Sequence, residues 1–291
     1  MEKDFGNFKN ILIIGLGLIG GSLALSLKRE GFDGKIYGFD LNKDRIKKAI
    51  ELGAIDEGFY SYEEIPWDKI DLVILATPVK TFESVANEIK KYLKPDTVVS
   101  DVGSVKGDLI ERLSKILEPH TFVGAHPIAG TEKEGIENAV IGLFKNARLI
   151  LTPIGKHEDV ERLKKFWEDL GSKVEIMDPH KHDFVFASVS HLPHAVAFAL
   201  VDALIQLSEE TGIDLFQYPG GGFKDFTRIA ASSPNVWKDI FIENKENVVH
   251  TIEEFIKSLE KLKEYIQKED EENLIKLLSE SREKRLSLDE E

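Results

Sequence analysis

The hydrophobic positions change rhythm once along this chain, near residue 179. Before that point, short apolar runs alternate with segments whose apolar positions recur every three to four residues. The run opening at Asn10 and those at 35–40, 71–77, 97–103, 121–127, 148–153 and 173–178 predict strands. The near-continuous apolar character of 71–77 predicts a strand covered on both faces. Between the strands, helices are predicted at 43–52, with Asn42 as N-cap and Gly53 as stop, and at 81–93. Two more are predicted, one from Ser104, read as its N-cap, to 117, and one at 158–170, closed by Gly171. Strands alternating with helices imply a doubly wound, mostly parallel α/β sheet.

After residue 179 nearly every segment has helical spacing, so the chain divides into an α/β domain at 1–178 and an all-helical domain at 179–291. The segment 195–205 is apolar almost all round, which predicts a helix buried on all sides. A small helical domain can hardly bury such a helix alone, which points to a dimer interface. Residues 251–268 and 271–285 are amphipathic and strongly charged, with solvated outer faces expected.

The first strand runs directly into glycines spaced Gly15-x-Gly17-x-x-Gly20, and Asp40 ends the second strand. A lone Gly-x-Gly-x-x-Gly is weak evidence. Placed after a strand, opening a helix and followed by an acidic strand end, it is the fingerprint of a Rossmann-type dinucleotide site. In that reading Gly15 permits the tight turn, Gly17 lets the backbone approach the pyrophosphate, and Gly20 lets the helix pack on the strand. Leu18 and Ile19 lie in the same turn, at the helix N-terminus that attracts phosphate charge. Asp40 would accept from the adenosine ribose hydroxyls, favouring NAD over NADP, although Lys43 and Arg45 stand close by in sequence. Thr77 and Pro78, at the carboxyl end of another strand, would line the same crevice.

Composition narrows the chemistry further. The 291 residues include no cysteine, which excludes disulfides, thiolate catalysis and Cys-ligated metal sites. The formal net charge of −14 argues against nucleic acid as a partner and means that an anionic substrate needs a local cationic pocket. The uncharged stretch 11–27 approaches the length of a membrane span, but its glycines, its serines and its β-type first half favour a buried strand–helix unit. The N-terminus lacks the basic-then-apolar order of a signal peptide, so a cytoplasmic location is expected.

Four stretches outside the fingerprint carry candidate chemistry. In Ser-Asp-Val-Gly-Ser-Val-Lys (100–106), Ser104 falls at a strand end where the crevice should be; a plain helix cap is the bland alternative. In Gly-Ala-His-Pro-Ile-Ala-Gly-Thr-Glu (124–132), His126 lies at the carboxyl edge of a buried strand. It is suited to accept a proton from a substrate hydroxyl, against the alternative of a satisfied core histidine. In Ser-Val-Ser-His-Leu-Pro-His (188–194), Pro193 should break or restart a helix, and His191 and His194 share one face. With His126 they could form a zinc site, but no ligand-orienting carboxylate is evident beside them, so no metal is expected. In Pro-Gly-Gly-Gly-Phe-Lys-Asp-Phe-Thr-Arg-Ile-Ala (219–230), Arg228 is a natural carboxylate clamp or, more plainly, half of a surface ion pair.

Taken together these stretches resemble the prephenate dehydrogenase family of tyrosine biosynthesis, over nearly the whole span from Gly15 to Trp237. The resemblance rests on residues 15–22, 101–106, 124–132, 190–194 and 221–230, which jointly are far more specific than the glycine turn. It implies oxidative decarboxylation of prephenate to 4-hydroxyphenylpyruvate with reduction of NAD. By the same resemblance His126 would hold the ring hydroxyl and act as proton acceptor, with Ser104 beside it. Arg228 would clamp a substrate carboxylate, and His194, with His191 less directly, would contact substrate from the helical domain. Thr131 and Gly222 fall in the matching stretches and join the substrate-binding set. The family's helical domains form a homodimer, and the segment around Trp237 would approach the neighbouring subunit's site. Tyrosine, which is product-like in shape, would inhibit at or near the active site. Arogenate dehydrogenase is the nearest rival, with a 3-hydroxy-acid dehydrogenase or a catalytically dead NAD sensor behind it.

Overall fold

A computed structural model of the chain describes residues 3–131, 133–154 and 158–289. Its organising element is an eight-stranded sheet. The strands are β1 (Asn10–Ile14), β2 (Lys35–Phe39), β3 (Glu57–Phe59), β4 (Leu72–Leu75), β5 (Val98–Asp101), β6 (Thr121–Pro127), β7 (Arg148–Pro153) and β8 (Lys173–Ile176). They lie in the order β3-β2-β1-β4-β5-β6-β7-β8. The order reverses between β1 and β4, which opens a crevice at their carboxyl ends, where such sheets bind ligands.

The helices between the strands are α1 (Leu18–Arg29), α2 (Lys43–Glu51), α3 (Phe82–Ile89), α4 (Gly107–Leu117) and α5 (Glu158–Asp169). Side chains alternate across β1, so Ile11 and Ile13 enter one core with Leu23, Leu27, Phe166 and Trp167. Leu12 and Ile14 enter the other with Phe82, Leu109 and Leu113. Each such buried aliphatic side chain is worth about 1.5–3 kcal/mol of transfer free energy.

All strand pairings are parallel except β6 with β7. A parallel return needs a crossover over one face of the sheet. Among its described residues the connection 128–147 holds only the short 3₁₀ turn Ile136–Asn138, and β7 comes back antiparallel. That connection docks on α1 through two buried serines: Ser22 Oγ accepts from Val140 N (2.8 Å) and Ser26 Oγ from Gly142 N (3.0 Å). These bonds explain the serines in the uncharged stretch at 11–27.

Beyond the sheet come α6 (Pro179–Phe186), a π-helical turn (Ala187–His191), α7 (Leu192–Thr211), α8 (Gly221–Thr227), α9 (Pro234–Glu243), α10 (Lys245–Gln267) and α11 (Glu271–Leu286). Asp178 caps α6, accepting from Lys181 N at 2.9 Å. Pro193 does not break the chain's course. It sits in the first turn of α7, and the π turn absorbs the irregularity, so residues 179–211 form one continuous helical path.

Besides the course of the chain at Pro193, two expectations need correction, and one strand goes unpredicted. Strand β3 was not foreseen, because three residues carry too little pattern to register. Ser104 does not cap α4, which begins at Gly107 with Lys106 in the cap position, so Ser104 lies in the turn ahead of the helix. Helix α7 is not buried on all sides in the single chain: only Ala197 is buried, and Ile205 and Leu207 are 44% and 45% exposed.

Candidate active site

At the carboxyl end of β1 the chain turns through Gly15, whose φ of 103° is disfavoured for other residues. A Cβ there would lie 2.6 Å from the Ala76 carbonyl carbon, and one on Gly20 would lie 2.0 Å from the Gly15 oxygen. Gly17 is the contrast: a Cβ there would meet nothing within 4 Å, so its backbone faces open space. Leu18 opens α1 and Ile19 follows it half-buried, leaving the first N–H groups of the helix without partners in their own helix. This open backbone next to a helix N-terminus fits a pyrophosphate.

Asp40 is buried beside the turn. Its Oδ2 accepts from Leu16 N at 2.9 Å and its Oδ1 from Asn42 N at 2.8 Å. Each carboxylate oxygen keeps a further lone pair, so the residue holds the turn and can still receive ribose hydroxyls. Arg45 lies 3.7 Å from Asp40 Oδ2. Thr77 and Pro78 follow β4, with Thr81 Oγ1 2.7 Å from Thr77 Oγ1.

The next two strand ends are tied together by a buried carboxylate. Asp101, at the end of β5, accepts from Gly103 N (2.7 Å) and from Ala125 N (3.0 Å). Those two amides flank Ser104 and His126 in sequence, so one side chain fixes the backbone next to both. The Lys106 ammonium donates to Asp101 Oδ2 at 2.6 Å and to the Gly103 carbonyl at 2.7 Å. Lys106 and Asp101 are fully buried, and such a pair is tolerated only with this many hydrogen bonds. Ser104 itself is half-buried.

His126 is 8% exposed, on β6. Its Nδ1 lies 2.8 Å from His182 Nε2 on α6, and His182 Nδ1 lies 2.8 Å from Asp183 Oδ1. Phe186 packs against both rings. His126 Nε2 has no hydrogen-bond partner among the described residues and is not sealed from solvent. Burial pushes the His126 imidazole well below its ordinary value near 6.5, and His182, Lys106 and His191 act in the same direction. The ring is therefore neutral at pH 7, with one nitrogen free to take a proton.

The helical segment brings three of the remaining candidates together. His194 stacks on Trp237 with ring centroids 3.6 Å apart, and His191 meets the same indole edge-on at 6.0 Å. His194 Nδ1 donates to the Ser190 carbonyl at 2.9 Å. Burial lowers its pKa, and the nearby Arg228 charge lowers it further. His191 is fully buried, its Nδ1 lies 3.2 Å from Asn244 Nδ2, and burial pushes its pKa down to about 3. Arg228 and Gly222 are exposed, as is Thr131, whose Oγ1 accepts from Lys133 N at 3.2 Å. Glu132, at the end of the His126 motif, lies outside the described residues. No group of three or more His, Asp or Glu side chains suited to a metal occurs among the described residues.

Sequence reasoning passed over Asp101, Lys106, His182, Asp183 and Asn244. Lys106 and Asp101 stood in a quoted motif, and the signal was a charged pair beside an apolar strand. The His182-Asp183 dipeptide had no comparable signal, since nothing in the sequence shows which strand a helix will meet.

Comparison with known proteins bears on the family and the fold. The family described as "Prephenate dehydrogenase, nucleotide-binding domain" matches residues 23–176, and "Prephenate dehydrogenase, dimerization domain" matches 178–280. A prephenate dehydrogenase of Bacillus subtilis is 36% identical over 270 residues, covering 91% of this chain and 72% of the relative. A cyclohexadienyl dehydrogenase of Zymomonas mobilis is 34% identical over 283 residues, covering 97% of this chain and 96% of the relative. Among solved structures, prephenate dehydrogenase from A. aeolicus in complex with hydroxyphenyl propionate and NAD+ superposes with a TM-score of 0.92. It is 52% identical, covering 96% of this chain and 98% of that one.

Proposed function

The chain belongs to the prephenate dehydrogenase family and is an NAD-dependent oxidoreductase, and we propose that it converts prephenate to 4-hydroxyphenylpyruvate and carbon dioxide in tyrosine biosynthesis. The observation that carries this reading is His126: a neutral imidazole at the carboxyl end of β6, on the same edge of the sheet as the nucleotide turn, with Nε2 available to a ligand.

NAD, when bound, supplies the hydride acceptor. The protein's task is to weaken the ring O–H while the hydride leaves the carbon that bears it. His126 Nε2 takes the hydroxyl proton, help that is typically worth about 10²–10⁴ in rate. Ser104, held by the Asp101–Lys106 pair, steadies the same hydroxyl. As carbon dioxide leaves, the electron pair of the broken carbon–carbon bond completes the aromatic ring. The phenol oxygen then recovers its proton from His126, so the reaction closes with no net proton. Aromatisation drives that step, and no further acid is needed.

The substrate is a dianion approaching a chain of charge −14. Arg228 offsets that repulsion by gripping a carboxylate, with His194, Thr131 and Gly222 completing the pocket. His191 acts from behind, supporting Trp237. The split at 178/179 then divides a nucleotide-binding domain from a helical substrate-binding and dimerisation domain. Pro179–Thr211 is long and apolar enough to cross a membrane, with mean hydropathy of 1.7 over its most apolar window, of which 22% is buried in the single chain. A second copy packed on α7 accounts for that surface in a cytoplasmic homodimer. Tyrosine, with its product-like ring, competes with prephenate at this site.

The test is NADH formation from prephenate and from arogenate, each with NAD and with NADP. Turnover of prephenate with NAD is expected. Turnover confined to arogenate would move the assignment to that substrate, and no turnover with either would end it.

A further inference from the structure

The scheme above gives work to only one nitrogen of His126. The other, Nδ1, is engaged by a residue from a different domain, and the hydrogen bonds behind it have a fixed direction. Asp183 Oδ1 accepts from Lys106 N at 2.8 Å and faces His182 Nδ1 at 2.8 Å. An ionised carboxylate can only accept, so His182 carries its proton on Nδ1. A neutral imidazole with Nδ1–H presents a lone pair at Nε2. That lone pair faces His126 Nδ1 at 2.8 Å, so His126 also carries its proton on Nδ1. Its own lone pair is thereby left on Nε2, the nitrogen without a partner.

We infer that Asp183 and His182 are positioning residues that hold His126 in its Nδ1–H tautomer and receive the positive charge when the ring accepts the substrate proton. The inference rests on His126 being the proton acceptor. Once a proton reaches His126 Nε2, the Nδ1–H can pass to His182 Nε2. The charge then rests on a His182 imidazolium, held against the Asp183 carboxylate, and the reverse shift returns the proton when the product phenol forms. No proton is gained or lost along the chain.

The surrounding groups agree with this direction. His126 is faced by His182 from α6, by Lys106 from the adjoining turn and by His191 from the π turn, and His182 in turn by Asp183, Lys106 and Asp101. Of the two carboxylates, Asp101 is already matched by the Lys106 ammonium. Asp183 is the carboxylate bonded to the histidine pair. The pair is also rigid: Asn244 Nδ2 donates to the Asp183 carbonyl at 2.8 Å, and Phe186 packs on both rings.

Nitrogen-15 NMR of the histidine-labelled protein reads the tautomer directly, without substrate. A protonated Nδ1 and bare Nε2 on His126 are expected. The opposite tautomer overturns the inference whatever the activity. The kinetic arm uses Asp183→Asn, which removes the charge and keeps the shape. Its kcat should fall about 10- to 100-fold, the scale seen for outer partners of metal-bound histidines, with KM for prephenate within about threefold. Losing a negative charge behind the imidazolium also moves the acid limb of kcat to lower pH, which a loss of packing alone would not do. His182→Gln, whose amide oxygen can accept from His126 Nδ1, should retain at least tenfold more activity than His182→Leu. Equal activity in that pair, or an unmoved acid limb in Asp183→Asn, would refute the relay. If the wild type fails on prephenate while His126 shows the Nδ1–H tautomer, the substrate assignment is what has failed.

Discussion

The two ends of the crevice are built on different scales. At the nucleotide end, Gly15, Gly17 and Gly20 lie within six residues, and the tie from Asp40 to Leu16 spans 24. At the proton end, His126 meets His182 across 56 residues, Asn244 meets Asp183 across 61, and Lys106 meets Asp183 across 77. The first end works through backbone: a positive φ, a close approach and exposed N–H groups. The second works through side chains whose protonation and direction matter. A local backbone device survives changes elsewhere in the chain, whereas the proton end exists only if β5, β6, α4, α6 and the α9–α10 corner all arrive together.

His126→Asn tests that contrast most severely. The asparagine approximates the shape but offers no basic nitrogen, so kcat should drop about 10²–10⁴-fold, while NAD binding, followed by fluorescence titration, stays near wild type. Equal losses of both would mean that the two ends are not separable. Lys106→Met comes next. It leaves Asp101 buried without its cation, which typically costs 3–5 kcal/mol, and denaturant unfolding should show about that loss. Asp101 also holds the backbone beside Ser104 and His126, so activity should fall below what the lost stability alone explains.

Arg228→Ala should mainly raise KM for prephenate. A charge-assisted contact of about 1.5–3 kcal/mol corresponds to roughly 10- to 150-fold, with kcat much less affected; an unchanged KM would remove the clamp. Gly20→Ala probes the other end. Its Cβ would sit 2.0 Å from the Gly15 oxygen, so the turn must move. Overpacking of this kind costs about 1–3 kcal/mol and should appear as a raised KM for NAD, with the prephenate KM unchanged.

The same contrast explains what could be read in advance. The glycine turn, Asp40 and most of the strands were legible because each is encoded by neighbours: an apolar run, a turn residue, an acid at a strand end. Ser104 and His126 were found as candidates for the same reason, being at strand ends. Ser104 was misread as a cap because a serine before a helix looks alike whether its hydroxyl turns inward to the helix or stays in the preceding turn. His182 and Asp183 were invisible, since on α6 they look like two polar residues at a helix start. Only the docking of α6 on α4 and β6 makes them partners of His126. Helix α7 was read as wholly buried because an all-apolar helix must be covered, and within the single chain most of it is not. In the proposed homodimer a second copy covers that surface.

The smallest effect, and the sharpest separation of the two ends, concerns pH. His126 must be neutral to accept a proton, and burial holds its imidazole well below its ordinary value near 6.5. The kcat profile should therefore stay flat from pH 8 through about 6.5 and fall only at lower pH. Stability moves in the same sense. His126, His182, His191 and His194 are all depressed in the folded chain, mainly by burial. Below about 6.5 the unfolded histidines bind protons that the folded ones refuse, so stability is lost as pH falls. For His191 that loss continues toward about 3. His180, raised by Glu111 and Asp108 on the surface, opposes the trend, but it is too exposed to reverse it. At the nucleotide end the proposed phosphate contacts come from backbone N–H groups, which do not titrate, so KM for NAD should be level over the same range. A kcat acid limb at or above 6.5, measured where unfolding controls show an intact fold, would mean that His126 is not held neutral by its surroundings, and the proton would then have to be taken by another group.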